Sequence, residues 1–232
     1  MKILLLFSFF SILTSCHYSS QKSTVKVAGQ MRDVMWKGDL KGKISTDSLS
    51  QYNAYGLGPV EGLTGEVLLF EGKTFISNVI DSVSLKVTLK ESIKAPFFVY
   101  SKHSDLKEIP FPSRNLDLRS TEYLIDSLYD KYDKPLLIRI DGVFKELSVH
   151  SVNLPQGSSV SSPKEAHKGL TKYKFNNLKG TIVGFFSRKH KAIFTHHDSF
   201  LHAHFISDNH LIMGHLDSVA YDPKNVKVSV SK

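Results

Sequence analysis

Apolar and polar residues alternate through most of this chain, a period that reads as β-strand. In "GEVLLFEGKTFISNV" (65–79) two such runs meet at Glu71-Gly72, which predicts a hairpin turning there. "LLIRIDGVFKELSVHSV" (136–152) has the same form around Asp141-Gly142, a favoured two-residue turn, and predicts a second hairpin. "VSLKVTL" (83–89), "APFFVYS" (95–101), "GTIVGFFS" (180–187) and "AIFTHH" (192–197) add further strands. Two segments carry a helical period instead. "STEYLIDSLYDKY" (120–132) stacks Leu124, Ile125, Leu128 and Tyr132 on one stripe, with Ser120 as cap and Glu122 suiting the helix N-terminus. "STDSLSQY" (45–52) predicts a short helix capped by Ser45 or Thr46. Long polar stretches punctuate the pattern. Residues 16–30 read as a flexible tether after which the composition turns globular, and the Ser/Pro-rich segment 153–169 separates two lobes, 31–152 and 170–232. No βαβ rhythm and no glycine-rich phosphate loop is present. The expected class is α+β: β-rich mixed or antiparallel sheets forming two closely packed lobes with few helices.

The N-terminus departs from this pattern. "MKILLLFSFFSILTSC" has one cation, Lys2, an apolar run from Ile3 to Leu13, and small residues before Cys16. That run is too short to span a bilayer and reads as a secretory signal over 1–15. Its ending, "LTSC", resembles the lipobox of bacterial lipoproteins, in which the cysteine is lipidated and becomes the first mature residue. Cys16 is the only cysteine, so no intrachain disulfide forms, and a lipid anchor accounts for a lone exported cysteine better than a free thiol does. The chain is expected at the cell envelope, held to the membrane through Cys16 and facing away from the cytoplasm. Formal charge is +8 and falls to +7 when Lys2 leaves with the signal. The lysines are scattered among acids and no basic run alternates with aromatics, which argues against nucleic-acid binding.

Near the other end, "LHAHFISDNHLIMGHLD" (201–217) puts four histidines into seventeen residues. Taking 207–210 as the turn of a hairpin, Ile206 pairs with Leu211, His204 lies opposite Met213 and His202 opposite His215. Residues opposed across a strand pair share a face, so His202, His204 and His215 converge while Ala203, Phe205 and Leu216 face the other way. Three neutral imidazoles with a free fourth position suit zinc as it is held in catalytic sites. His210 falls in the turn and is expected in solvent. His196 and His197 are spare candidates; as neighbours on a strand they point opposite ways, so at most one can join.

The order of motifs resembles the α-acetolactate decarboxylase family over about residues 31–219. The matching pieces are "WKGDL" (36–40), "YGLG…GLTGE" (55–66), "APF" (95–97), "IRIDGVFK" (138–145), "KFNNLKGTIVGF" (174–185) and "HAHF…GH" (202–215). The resemblance implies a zinc site on His202, His204 and His215, with Glu66 beside the metal and handling the proton. Three positions depart from the family. Its arginine eleven residues after the I-R-I-D-G arginine is His150 here, and its threonine seven residues before the glutamate is Pro59. Only seventeen residues follow His215, so the tail that returns a second glutamate to the metal is expected to be missing. The implied reaction is loss of carbon dioxide from 2-acetolactate, a 2-hydroxy-3-keto acid, to give acetoin. Glu66 and His150 are then the catalytic candidates, although an imidazole holds a carboxylate less well than a guanidinium. A homodimer is compatible with this reading. Two other classes stay open: a zinc hydrolase on the same scaffold, and an envelope lipoprotein that binds zinc without turnover.

Overall fold

Alternating runs of the kind just described pair into two large antiparallel sheets, beside a small two-stranded one. A computed structural model of the chain describes residues 24–102, 105–110, 116–128 and 134–231. The signal segment and Cys16 lie outside these residues, as does Tyr132 of the predicted helical stripe. The first half contains β1 (Val25–Ala28), α1 (Met31–Lys37), β2 (Ile44–Ser45), α2 (Asp47–Ser50) and β3 (Tyr55–Pro59). It continues with β4 (Glu66–Phe70), β5 (Lys73–Val79), β6 (Leu85–Lys90), β7 (Lys94–Ala95) and β8 (Phe98–Ser101). Then follow β9 (Leu106–Glu108), β10 (Leu116–Asp117), α3 (Leu118–Leu128), β11 (Leu136–Ser151) and α4 (Pro163–Ala166). The last strands are β12 (Thr171–Phe186), β13 (Leu201–Ser207), β14 (Met213–Tyr221) and β15 (Val226–Ser231). Among the described residues no helix is long and apolar enough to cross a membrane.

The first sheet has the order β1-β8-β3-β4-β5-β6 and the second β10-β14-β13-β12-β11-β15-β9. β14 also pairs with β11, so β11, β12, β13 and β14 close into a ring. Inside it Phe144 meets Phe205 and Tyr221 edge to face, centroids 5.7 and 5.9 Å apart, among Leu147, Val149, Ala203 and Leu216. Alternation sends Val183, Phe185, Ile206 and Met213 outward. There they pack on Tyr55, Leu57 and Leu68 of the first sheet, and this apolar layer holds the two sheets together. Arg139 on β11 adds a polar tie, donating to Asp141 at 2.8 Å and to Tyr55 and Glu71 of the first sheet at 2.7 and 2.6 Å.

Several expectations need correcting. Glu71 and Gly72 form the predicted turn, with φ of 51° and 79°, but Asp141-Gly142 does not turn. β11 runs straight through it, because β12 offers an antiparallel partner to every residue of the strand but Lys145. Gly142 is there for close approach: a Cβ would lie 2.2 Å from the Asn225 carbonyl oxygen. "AIFTHH" is no strand but a compact turn in which the His190 carbonyl accepts from the amides of Ile193, Phe194 and Thr195. The 153–169 segment joins two strands of one sheet and does not separate sheets; the change of sheet falls between β8 and β9. The tether ends early, since Val25 and Val27 pair with β8 and pack against the intersheet core. Asp117, not Ser120, caps α3, accepting from the Ser120 amide at 2.7 Å, and neither Ser45 nor Thr46 caps α2. Thr46 is buried instead, bonding Thr74 and the Ile93 amide. β15 adds a strand beside residues 138–142 of β11.

Candidate metal centre

On β13 and β14 alternation directs His202, His204 and His215 out of the ring and toward the first sheet. The turn lies one residue later than expected: the Ser207 amide closes onto the Ile212 carbonyl at 2.9 Å, leaving 208–211 as the loop. Register therefore moves by two, and His204, not His202, stands opposite His215, with Ile206 opposite Met213. A shift of two keeps every side chain on its face, whereas a shift of one would have turned His215 into the core. The predicted convergence survives. His202 Nε2 is 3.1 Å from His215 Nδ1, and one nitrogen from each of the three rings lies within 4.8 Å of the others.

The donor set fits a metal ion. His202, His204 and His215 are all buried, and burial pushes each below the ordinary imidazole range, His204 to about 3. They are therefore neutral, the form that coordinates. Neither ring nitrogen of His204 has a hydrogen-bond partner, nor does Nδ1 of His202. Buried polar groups are nearly always paired within the protein, so imidazoles held this way suit a ligand that the protein itself does not supply. Zinc matches three nitrogens with room for a fourth ligand.

Glu66 opens β4 on the same face as Leu68 and Phe70, as the alternation implied, and is buried against the triad. Its Oε2 is 3.6 Å from His204 Nε2 and its Oε1 3.9 Å from His150 Nε2. Burial pushes the carboxyl well above its usual range; an amide contact from Val152 opposes this and the Asp217 charge reinforces it. With the His204 ring neutral, their contact is not an ion pair. Pro59 stands directly opposite Glu66 in the β3–β4 register, so β3 brings no hydroxyl there, while the buried Ser77 stands opposite Glu66 on β5.

His150 comes from β11 and pairs in register with His215, ring centroids 4.4 Å apart. Gly214 makes this approach possible, since a Cβ there would sit 2.6 Å from the His150 carbonyl oxygen. A register break next to Val149 leaves Asp217 unpaired in the ladder and aims it at His150. Nδ1 of His150 lies 2.9 Å from Asp217 Oδ1, which can only accept, so Nδ1 carries a proton and Nε2 is the nitrogen left facing the site. Burial raises the Asp217 carboxyl, but the His150 bond and Lys172, with Nζ at 3.4 Å, outweigh this and keep it below its ordinary value. A cavity of about 430 Å³ leads from solvent to His215 between His150, His167, Lys172, His196 and Asp217.

The sequence reading missed Asp217 and Lys172, though Asp217 lies two residues beyond His215 and so shares its side of the strand. Of the spare candidates, His196 reaches the cluster and His197 is exposed. His210 is exposed in the turn as expected, its ring resting 4.8 Å from Phe75.

Residues 29–232 match the family described as alpha-acetolactate decarboxylase, and the chain belongs to it. The alpha-acetolactate decarboxylase of Brevibacillus brevis is 25% identical over 192 residues, which cover 83% of this chain and 65% of that one. The Bacillus subtilis strain 168 relative is 25% identical over 217 residues, covering 90% and 78%. The crystal structure of the enzyme from that strain superposes with a TM-score of 0.76 at 24% identity, over 90% of this chain and 85% of the other. A Staphylococcus aureus protein of unknown function, similar to alpha-acetolactate decarboxylase, gives 0.72 at 19% identity, over 90% and 85%. These likenesses establish the fold. The chain spans 65% of the length of the Brevibacillus relative.

Proposed function

We propose that the chain is a carboxy-lyase that converts 2-acetolactate, or a close 2-hydroxy-3-keto acid, to acetoin and carbon dioxide, with zinc held by His202, His204 and His215. What carries the reading is a buried His204, its ring nitrogens without a hydrogen-bond partner, lying 3.6 Å from a buried carboxyl that burial pushes well above its usual range, in a chain of this family. When bound, zinc supplies Lewis acidity toward the hydroxyl and carbonyl oxygens of such a substrate. The protein supplies the remainder. Carbon dioxide leaves with its carbon's bonding electrons transferred to the neighbouring carbon and ketone oxygen, and that carbon must then take up one proton. Glu66 holds a proton at the wall of the site and is placed to deliver it to one face. Its burial also limits exchange with bulk water, which favours protonation from a fixed direction. His150, held by Asp217 through Nδ1, turns its Nε2 toward Glu66. Anchoring at the cell envelope through a lipid on Cys16 is part of the same proposal, supported by "LTSC" after the apolar run.

The test pairs elemental analysis with acetoin formation from racemic acetolactate, corrected for spontaneous decay. Wild type should carry one zinc per chain and exceed the background rate. Glu66→Gln should keep the metal and lose turnover, and His204→Ala should lose both. Equal metal in wild type and His204→Ala rules out the ligand assignment. Equal background rates in all three proteins rule out the decarboxylase.

A further inference from the structure

One imidazole beside the triad comes from a different element. His215 has both ring nitrogens engaged: Nδ1 lies 3.1 Å from His202 Nε2, and Nε2 lies 3.2 Å from His196 Nε2. A neutral imidazole carries one proton, on one of its two ring nitrogens. If His215 faces the triad with a bare Nδ1, its proton sits on Nε2 and must be accepted by something. We infer that His196 is the outer partner of the metal ligand His215, accepting its Nε2–H and so fixing the tautomer in which Nδ1 turns a lone pair to the metal. This rests on the reading that His202, His204 and His215 bind zinc. It makes His196 a positioning residue and not a fourth ligand, because the nitrogen of His215 that it touches is the one turned away from His202.

The local fold supports the assignment. His196 follows the compact turn that replaces the expected strand over 192–197. Phe194 is fully buried in the intersheet core, and Thr195, also buried, returns its hydroxyl to the His190 carbonyl at 3.3 Å. The amide of Ala192 closes on the Thr195 carbonyl at 2.9 Å. The residue before His196 is thus held by backbone and side chain together, and the imidazole is delivered edge-on to His215, ring planes at 78° and centroids 5.1 Å apart. Edge-on presentation is how an in-plane Nε2–H meets an acceptor lone pair. Metal-ligating imidazoles generally give their second nitrogen to such a partner, and its removal weakens metal binding about 10–100-fold.

Zinc affinity by competition with a chromophoric chelator tests this without reference to turnover, alongside the visible spectrum of the cobalt-substituted protein. His196→Ala should bind zinc about 10–100-fold more weakly than wild type, with the cobalt spectrum at saturation unchanged in position and intensity. His196→Gln, whose amide oxygen can accept at nearly the place of Nε2, should recover most of the loss. Unchanged affinity in His196→Ala would overturn the inference, as would a Gln variant no better than Ala. A changed cobalt spectrum in His196→Ala would also overturn it by making His196 a direct ligand. Failure of the wild type to bind zinc is a separate result, and it overturns the triad assignment itself.

Discussion

Holding three neutral imidazoles in the protein interior should make the metal-free chain sensitive to acid, and His204 allows the size of the effect to be worked out. Burial lowers its pKa from the ordinary 6.5 to about 3. Between those values the unfolded chain binds this proton and the folded chain does not. The stability concerned is therefore fully present above about pH 6.5 and is lost progressively as pH falls toward about 3. At 1.36 kcal/mol per pH unit the whole loss is about 5 kcal/mol, of which about 2 kcal/mol has gone by pH 5. His202 and His215 act in the same direction. Glu66, whose carboxyl is raised, acts in the opposite one, adding stability as pH falls toward its ordinary range. His204→Leu isolates one term, since it removes the titrating group and two unpaired nitrogens while keeping an apolar side chain in the site. The assay is urea unfolding of chelator-stripped wild type and variant at pH 7.5 and pH 5. The variant's stability relative to wild type should improve by about 2 kcal/mol between the two. Zinc should then reverse the order near neutrality, adding about 2.7 kcal/mol to wild type at a hundredfold excess over Kd and far less to the variant. Equal pH dependence in the two stripped proteins would refute the argument, because it would mean that His204 is solvated or paired in solution.

Three further outcomes are expected. Cys16→Ala should move the protein from the membrane to the soluble fraction, and unchanged membrane association would refute lipidation. Arg139→Met should cost about 1–3 kcal/mol in urea unfolding, since it removes charge-assisted bonds to Asp141, Glu71 and Tyr55 that tie the sheets together, and should leave zinc content unchanged; a neutral effect on stability would show that the apolar layer alone holds the sheets. His150→Arg should raise kcat/KM for acetolactate about 10–100-fold, the worth of one charge-assisted contact of roughly 1.5–3 kcal/mol; a fall would show that the imidazole of His150 is what the reaction needs.

The parts of this molecule that could be read in the sequence were those fixed by parity along a strand. Facing depends on odd or even position alone, so the histidine hairpin tolerated an error in its turn: the loop moved by one residue, the register by two, and all three imidazoles stayed on one side. Glu66 came from the family resemblance, and the alternation that puts it in step with Leu68 and Phe70 agreed with it. The failures lie where a partner distant in sequence decides. Asp141-Gly142 has good hairpin chemistry, yet a sixteen-residue partner strand outweighs the preference of two residues. "AIFTHH" has strand composition, but its backbone bonds are taken by the His190 carbonyl before any strand can claim them. The tether ends early because Val25 and Val27 find β8, seventy residues away and invisible to local periodicity.

The same distinction explains why the histidines were found and Asp217 was not. A ligand triad on one hairpin is local, and a period of two reveals it. His150 and Asp217 meet only because β14 leaves β13 and turns onto β11, with Gly214 thin enough to let the backbones close and a register break to re-aim Asp217. That crossing also closes the ring of four strands. The element that completes the hydrophobic core therefore also brings a carboxylate to His150. Asp217 can accept but cannot donate, so it orients an imidazole better than it would serve a substrate carboxylate. His150 is thus held in place by its own acceptor, with its other ring nitrogen turned toward Glu66.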